Sequence, residues 1–267
     1  MLALQAGSYR ERPVALALKR HFACVWVNRV SKTLSAPVVV VPDGTMDLQW
    51  IRGRWRIAGP DRLAQRETLR AGSMVIGFRF QPGSACEWLG AAASEFCDKR
   101  VWLADVWGAA GRRADCALES FGREPRIGDL ENALGRWASS MRLPKSDMQS
   151  AQRLLRSGPP PGVDVVPWIM RALGLTERTL RRRFDAAFGY GPKTLERILR
   201  FQRYLQILRT PTWASAAHRA AAAGYADQSH LVRECRRLAL CTPSELPSRL
   251  PAGPSNFQSI GEFSWSR

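Results

Sequence analysis

The chain has 267 residues, enough for about two domains that each bury a core of their own. Its 40 lysine and arginine residues against 23 acidic residues give a formal net charge of +17, and its 45% content of hydrophobic residues excludes wholesale disorder. A positive excess of this size, mostly from arginine, is typical of proteins that bind a polyanion such as nucleic acid. A generally basic surface is the alternative explanation of the charge alone.

Metal, cofactor and membrane signals are missing from the sequence. The six cysteines form no C-x-x-C pair, and His21, His218 and His230 are not spaced as metal ligands beside them. We therefore expect free thiols in a reducing compartment, with no metal and no cofactor. No apolar run approaches the roughly 18 residues of a membrane span, and no signal-peptide pattern is present. The sequence predicts a soluble cytoplasmic protein without a membrane partner.

The first hundred residues have the pattern of short β-strands separated by turns. Turn residues occur at Pro42-Asp43-Gly44, at Arg52-Gly53-Arg54 and at Gln81-Pro82-Gly83. The segments between them are rich in Val, Ile, Trp and Phe, and they predict strands at Phe22–Val30, Pro37–Val41, Met46–Ile51, Trp55–Ala58 and Met74–Phe80. Strands at this spacing favour a compact sheet or a barrel-like module.

From Cys86 onward the hydrophobic period becomes that of helices. Helices are predicted at Trp88–Phe96, Leu103–Phe121, Ile127–Met141 and Ser146–Arg156. An apolar stripe on the third helix is expected to pack in the core, with a dimerisation face as the alternative. The stripe consists of Leu130, Leu134, Trp137 and Met141. The strand residues Trp26, Trp50 and Trp55 are also expected in the core, with an apolar pocket as the alternative.

The glycine and proline tract at residues 157–162 cannot be helical and predicts a semi-rigid linker at a domain boundary. Beyond it, every segment with a hydrophobic period is helical. Capping residues Asp164, Thr176 and Asp227 mark three helix starts, and Pro192 marks another. The predicted helices are Val165–Leu173, Glu177–Phe188, Pro192 to about Arg209, Trp213–Ala223 and a last one from Asp227 to about Leu240. A short closing segment begins at Thr242-Pro243.

Two of these helices follow the same local pattern. The segments L-G-L-T-E-R-T-L (173–180) and A-G-Y-A-D-Q-S-H-L (223–231) each end an apolar helix, turn at a glycine and begin a polar-headed helix at a capping residue. This is the pattern of a helix-turn-helix, whose second helix enters the major groove of DNA. Two such units in a strongly basic chain predict sequence-specific DNA binding.

The apolar faces of these two helices determine which side chains remain exposed. In the first unit Leu180, Phe184 and Phe188 must face inward, which exposes the opposite side. In the second unit Leu231, Cys235 and Leu238 face inward. The exposed residues are of the types that read base edges or bind phosphate, and they are Arg178, Arg181, Arg182, Gln228, Ser229, His230 and Arg233.

The helix between the two units, from Pro192 to Arg209, has 18 residues and a length of about 27 Å. Major-groove faces on one side of B-DNA recur about every 34 Å. A rod of this length with a unit at each end can therefore place two recognition helices in adjacent turns of one duplex. Its arginines Arg197, Arg200 and Arg203 are expected to point toward phosphate or solvent.

The C-terminal motifs carry a family resemblance. They are L-G-L-T-E-R-T-L-R-R-R-F, then F-G-Y-G-P-K-T-L with R-I-L-R-F-Q-R, and A-G-Y-A-D-Q-S-H-L with Thr242-Pro243. Residues 163–247 thereby resemble the DNA-binding domain of the AraC/XylS family of bacterial transcription regulators. The resemblance implies a bipartite seven-helix domain that binds promoter DNA and recruits or hinders RNA polymerase. By motif position, the exposed residues named above would face the DNA grooves.

Three residues of the second unit depart from the family pattern. Arg219 stands where an aliphatic residue is usual, Cys235 replaces a core phenylalanine, and Leu240 replaces the glycine at the helix end. Charge and lost volume in a small core could together cost a few kcal/mol, and the stem of Arg219 could reduce this cost by extending outward. We expect the second unit to contribute less affinity than the first.

The N-terminal half resembles the domain found beside this type of helix-turn-helix in a subgroup of these regulators. The segments that carry it are V-V-P-D-G-T-M-D-L-Q-W, A-G-P, G-F-R-F-Q-P-G and R-V-W-L-A-D-V-W-G. In the wider family such a domain binds a small effector, dimerises, or both, so a small-molecule effector and a homodimer are implied partners. The effector does not follow from these residues.

The predicted fold class is α+β, with a β-rich N-terminal domain that also carries helices and an all-α bipartite helix-turn-helix domain. The predicted limits are residues 1–157 for the sensing or dimerisation domain, 158–162 for the linker, 163–250 for the DNA-binding domain and 251–267 for a flexible tail.

Two other functions compete with sequence-specific DNA binding. Asp43, Asp47 and Asp61 lie among the predicted strands and could serve an enzyme, but no histidine cluster, nucleophile elbow or phosphate loop accompanies them. The cysteines also lack the metal spacing of a DNA-repair methyl acceptor. A non-specific, nucleoid-like DNA binder would explain the charge, but not the Gln, Ser and His at the start of the second recognition helix.

Overall fold

The structure is a computed structural model, and it describes residues 2–4, 7–34, 36–118, 125–144, 146–160, 162–209 and 215–250. The fold is α+β, as predicted. The strands are β1 (Leu2–Leu4), β2 (Gly7–Arg12), β3 (Phe22–Val30), β4 (Val38–Val41), β5 (Asp47–Ile51), β6 (Arg54–Ala58), β7 (Gln65–Glu67), β8 (Met74–Phe80) and β9 (Arg100–Trp102). None of the helices in the described ranges combines the length and apolar character of a membrane-spanning segment.

Helices occupy most of the chain after β8. They are α1 (Ser84–Leu89), α2 (Leu103–Trp107), α3 (Ala109–Cys116), α4 (Ile127–Ala138), α5 (Ser146–Ser157), α6 (Val165–Leu173), α7 (Glu177–Phe188), α8 (Pro192–Arg209), α9 (Ala216–Ala222), α10 (Gln228–Ala239) and α11 (Leu246–Arg249). Short 3₁₀ turns lie at Leu16–Leu18 and Ala93–Phe96.

Within the described residues the strands form two antiparallel sheets, one of six strands in the order β2-β3-β8-β5-β6-β9 and one of three in the order β1-β4-β7. Within the larger sheet, β3 pairs with β8 so that Trp26 lies opposite Gly77. A Cβ atom at Gly77 would lie 2.1 Å from the Trp26 indole, so only glycine leaves room for this ring. The five predicted strands are confirmed, with bounds that differ by at most one residue.

Four strands were missed by the sequence analysis. β1, β7 and β9 have three residues each, which is too short for an alternating pattern to be recognised. β2 has the polar sequence G-S-Y-R-E-R and lies at an edge of the larger sheet, where a strand does not need two apolar faces.

Glycines divide two of the predicted helices. The helix predicted at Trp88–Phe96 is instead α1, which ends at Gly90 with φ +68°, followed by the 3₁₀ turn at Ala93–Phe96. The helix predicted at Leu103–Phe121 is split into α2 and α3 at Gly108, whose φ of 56° and ψ of −125° do not belong to a helix. Phe121, the predicted end, lies outside the described residues.

The N-terminal core confirms the interpretation of the apolar stripe on α4. Leu130 and Leu134 are fully buried in it, and Trp137 packs against it with its ring 6.0 Å from that of Trp55. Met141 also packs against this cluster. The strand tryptophans are buried as well: Trp50 and Trp55 lie in this core, and Trp26 lies in a smaller cluster near Ile51.

Helix α5 packs with the C-terminal helices, although its sequence precedes the glycine and proline tract. Met148, Ala151 and Leu155 are buried in the same cluster as Ile169 of α6. The tract therefore connects two helices of one cluster, because proline ends a helix whether or not a domain ends there. Pro161 of the tract and the predicted tail at 251–267 lie outside the described residues, and the predicted domain limits stay a prediction.

The two halves of the chain are in close contact along α8. Val41 of β4 is fully buried in the C-terminal cluster, and Gln202 of α8 donates a hydrogen bond of 2.6 Å to the carbonyl of Pro42. At Gly44 a Cβ atom would lie 2.7 Å from Cδ1 of Leu195. Gly44 also has φ +78°, so both its conformation and its surroundings require glycine.

Candidate nucleic-acid interface

The first helix-turn-helix unit consists of α6 and α7. Helix α6 ends at Gly174, which has the left-handed φ of 62°, and Thr176 caps α7 by accepting a hydrogen bond from the backbone N–H of Thr179 at 3.4 Å. Leu180 and Phe184 on α7 are at most 1% exposed. The predicted cap, turn and inward face of this unit are therefore confirmed.

The opposite face of α7 is the predicted groove-facing surface. Arg178, Arg181 and Arg182 are all exposed there, and no side chain of the described residues forms an ion pair with any of them. They line an open groove of about 690 Å³ together with Glu177, Asp185 and residues nearby. Three guanidinium groups on one exposed helical face are well placed to bind phosphate or guanine.

The second unit consists of α9 and α10, and the turn between them contains Gly224, with φ +90°. Asp227 caps α10 by accepting a hydrogen bond of 2.7 Å from the backbone N–H of His230. The inward face is buried as predicted and consists of Leu231, Cys235 and Leu238. The predicted helix start at Trp213 lies outside the described residues, which resume at residue 215.

The predicted DNA-facing residues of α10 differ in exposure. Gln228, Ser229 and Arg233 are exposed, whereas His230 is half-buried. The His230 ring packs edge-on against the buried ring of Tyr225, with centroids 5.2 Å apart. His230 is therefore partly turned toward the protein, and the other three side chains project freely from the helix.

The connecting helix α8 has the predicted bounds, but its arginines are engaged within the protein. Arg203 donates hydrogen bonds to the carbonyls of Leu155 and Arg156 at the end of α5, at 3.1 and 2.9 Å. Arg200 forms an ion pair with Glu196 and lies over the Tyr225 ring. The expectation that these arginines point to phosphate or solvent was wrong, because carbonyls, a carboxylate and an aromatic ring lie within their reach.

Arg197, the third of these arginines, joins three parts of the structure. Its Nε lies 3.6 Å from a carboxylate oxygen of Glu234 on α10, and its Nη2 donates to the carbonyl of Arg62 at 3.1 Å. Arg62 belongs to the loop between β6 and β7. The sequence offered no signal for this contact, because the partners are 37 and 135 residues away from Arg197.

The same N-terminal loop contacts both helix-turn-helix units. Pro60 lies against the end of the first recognition helix, where a Cβ atom at Gly189 would be 2.8 Å from the proline ring. Ala64 donates a backbone hydrogen bond of 3.2 Å to the carbonyl of Arg237 on α10. The loop between β6 and β7 thus fixes the N-terminal domain to α7 and to α10 at once.

The three departures in the second unit have structural consequences. Arg219 is half-buried, and its Nε is buried without a hydrogen-bond partner among the described residues. Leu240 ends α10 with φ 53° and ψ 34°, a left-handed conformation that favours glycine. Cys235 is fully buried, and burial raises the pKa of its thiol to about 12.

The aspartates considered for catalysis lie in buried ion pairs. Asp43 and Asp47 lie 3.0 and 3.4 Å from nitrogens of Arg79, and Asp61 lies 2.7 Å from Arg100. Burial raises the pKa of Asp47 to about 6, but its side chain is fully buried and no substrate could reach it. Across the described ranges, no group of three or more His, Cys, Asp or Glu residues could hold a metal ion.

Two sequence families match the chain. Residues 169–249 match a family described as "Helix-turn-helix domain", and residues 10–102 match a "Domain of unknown function (DUF6597)". No curated protein matches the chain.

Among solved structures, the chain is similar to ToxT from Vibrio cholerae. For ToxT from strain O395 the identity is 12%, the alignment covers 92% of this chain and 99% of ToxT, and the TM-score is 0.46. For a second crystal form of ToxT the identity is 12%, the coverage is 85% and 98%, and the TM-score is 0.44. For wild-type ToxT with a bound unsaturated fatty acid, the identity is 12%, the coverage is 93% and 94%, and the TM-score is 0.42.

Proposed function

Because the chain carries an AraC-type helix-turn-helix domain at residues 169–249 beside a DUF6597 domain, we propose that it is a transcription regulator that binds promoter DNA in a sequence-specific manner. The observation that carries this proposal is the matched exposure of two recognition helices. Both α7 and α10 bury an apolar stripe in one core and present polar side chains at their N-terminal ends. Helix N-termini also favour the phosphates of DNA.

In this proposal Arg178, Arg181 and Arg182 of α7 contact guanine edges or phosphate in one major groove. On α10, Gln228, Ser229 and Arg233 contact bases or phosphate in the next groove. His230 contributes less to base reading, because its ring already packs against Tyr225. The length of α8, about 27 Å for 18 residues, suits two sites separated by about one helical turn.

The N-terminal domain has a regulatory role in this proposal, as a sensor of a small effector, as a dimerisation domain, or as both. Its direct contacts with α7, α8 and α10 support such a role. A conformational change in the N-terminal domain would alter the position of both recognition helices through these contacts. RNA polymerase is the further partner that a regulator bound at a promoter would recruit or hinder.

Selection of bound sequences from a random duplex library with the purified full chain, at near-physiological salt, tests the proposal. An enriched motif with two elements about one helical turn apart is the expected result. A single short element would mean that α10 adds little to recognition. Tight binding without any enrichment would contradict sequence-specific regulation.

The net charge of +17 favours a second candidate, a non-specific DNA-binding protein. The two candidates differ in competition by unrelated DNA, because binding through phosphates alone discriminates little between sequences. Affinity for the selected sequence and for a scrambled duplex should be measured over a range of salt concentrations. A ratio near one at every salt concentration would favour the non-specific candidate.

A further inference from the structure

A groove opens on the N-terminal domain between helices α3 and α4, and none of its described lining residues belongs to α7 or α10. Its volume is about 610 Å³, which is within the usual range of small-molecule sites. Helix α3 and its C-terminal cap contribute the positions Ala110, Arg113, Ala114 and Ala117, which lie on one face. Because three of these four side chains are alanines, α3 leaves an open space in front of α4.

Three tryptophans line the groove. Trp88 on α1 is 3% exposed, whereas Trp107 and Trp137 are half-buried and available to a ligand. The rings of Trp107 and Trp137 meet edge to face, with centroids 5.6 Å apart. Such a pair leaves indole faces and edges onto which a further aromatic ring can pack in the same way.

The charge of the groove favours an anion. Arg113 of α3 and Arg136 of α4 both line it, and both are exposed. Neither guanidinium forms a hydrogen bond or an ion pair with any described residue. Among the lining residues that the structure describes, Glu87 is the only acidic one. Two unpaired guanidinium groups therefore face an aromatic surface from two different helices.

The space between the two β-sheets offers much less room. It is lined by Tyr9, Trp26, Gln49 and their neighbours, and its volume is about 30 Å³. That is room for about one water molecule. Several polar side chains there already bind one another, since Arg56 donates to Gln49 and pairs with Glu67. The groove between α3 and α4 therefore has the volume for a small organic ligand, and the space between the sheets does not.

We propose that this groove is a binding site for a small planar aromatic carboxylate. The aromatic ring packs against Trp107 and Trp137, and the carboxylate binds Arg113 and Arg136. The planar guanidinium group matches the geometry of a carboxylate and forms charge-assisted hydrogen bonds with it. A neutral ligand of the same shape would not form these bonds. The site does not depend on the proposed DNA-binding function, because none of its residues lies in a helix-turn-helix unit.

The test uses naphthoate as the probe and the full chain in isothermal titration calorimetry. Naphthalenemethanol, which has the same ring system without the charge, is the matched control ligand. We expect saturable one-to-one binding of naphthoate and binding of the alcohol that is about tenfold weaker, which corresponds to one charge-assisted contact. Absence of saturable naphthoate binding, or equal affinity for the two ligands, would overturn the proposal.

Variants locate the site. Arg113→Gln and Arg136→Gln should each weaken naphthoate binding about fivefold to tenfold. Arg112→Gln is the matched control, because Arg112 is an exposed neighbour on α3 that does not line the groove. Unchanged affinity in both groove variants would overturn the proposal.

A substitution at Ala110 fills the groove without removing a charge. Ala110 is exposed at its edge, so Ala110→Phe should abolish naphthoate binding and leave the thermal unfolding midpoint almost unchanged. Sedimentation analysis of the same variant tests the alternative that a second copy of the chain, and not a small molecule, occupies the groove. If Ala110→Phe disperses a dimer of a wild-type chain that does not bind naphthoate, the groove is a dimer interface and the ligand proposal is wrong.

Discussion

In the first helix-turn-helix unit, the recognition helix α7 buries Phe184 and Phe188, whose ring centroids lie 5.0 Å apart. In the second unit, α10 buries Cys235 where the resemblance leads one to expect an aromatic ring, and α9 brings in the half-buried Arg219. Both helices begin with a side-chain cap and present polar residues. The two helices thus share a cap and an exposed polar face, but the packing that holds each helix in place differs.

The second unit also carries features that cost stability. The buried Nε of Arg219 has no hydrogen-bond partner among the described residues, although this also holds for the Nε of Arg183 in the first unit. Leu240 adopts, at the end of α10, the left-handed conformation that glycine adopts at the end of α7. An unsatisfied buried donor and a strained helix end each cost of the order of 1 kcal/mol or more. The exposed residues of a recognition helix can therefore be predicted from sequence, but the stability of the core beneath the helix cannot. Four pairs of substitutions test this difference between the two units.

The largest effect is expected from truncating the aromatic core of the first unit. Phe184→Ala should lower the free energy of unfolding by about 3–5 kcal/mol, because it removes a fully buried ring and leaves a cavity. Cys235→Ala, the matched change in the second unit, should cost about 1 kcal/mol, since one small buried atom is lost. Urea unfolding of both variants measures the difference. Equal losses would show that the two cores are equally important for stability.

Arg181→Ala should weaken binding to the selected DNA site by about 1–3 kcal/mol and relax base preference in one half-site, because its exposed guanidinium lies opposite the buried face of α7. Arg233→Ala on α10 should have a smaller effect, since we expect the second unit to contribute less affinity than the first. Fluorescence anisotropy with specific and scrambled duplexes measures both. An equal loss on scrambled DNA would show that Arg181 contacts only phosphate.

Removal of the N-terminal helix caps should destabilise the second unit more than the first, which is the opposite order to that of the core substitutions. Asp227→Ala should cost more stability than Thr176→Ala, within the usual value of about 1 kcal/mol. The Asp227 carboxylate accepts a shorter hydrogen bond, 2.7 Å against 3.4 Å for Thr176, and its charge interacts favourably with the helix dipole. Thermal unfolding compares the two variants. A larger loss for Thr176→Ala would contradict this explanation.

The smallest effect is a gain in stability. Leu240→Gly should stabilise the chain by about 1 kcal/mol, because glycine adopts the left-handed conformation without strain. Only part of the packing of a core leucine is lost, since Leu240 is 37% exposed. Leu240→Ala is the control, because it removes the side chain and keeps the strain. If both variants behave alike in urea unfolding, the strain at this helix end is negligible.

The elements that the sequence predicted well are those with local signals. Thr176 and Asp227 mark helix starts through their own side chains, and Pro192 marks the start of α8. The inward faces of α7 and α10 follow from the helical period alone. The exposure of the candidate DNA-facing residues could therefore be predicted, although their contacts with DNA stay a prediction.

The features that could not be predicted depend on partners far away in the chain. Arg203 could be placed on a helix face from sequence, but not against the carbonyls at the end of α5. The same holds for Arg197, whose partners belong to α10 and to the N-terminal loop. The half-burial of His230 depends on Tyr225 in the preceding turn, whose orientation the helical period does not specify.

The position of α5 decides how this protein can be divided into fragments. A fragment that starts at residue 163 would lack Met148, Ala151 and Leu155, which are buried against α6, α7 and α8. Its apolar surface would be open to water, and such a surface promotes aggregation. A fragment that starts before Ser146 would keep this cover. It would lose the contacts of the N-terminal domain, such as the packing of Val41 and the backbone hydrogen bond of Ala64 to Arg237. The soluble unit of DNA recognition is therefore expected to begin one helix earlier than the proline tract suggests.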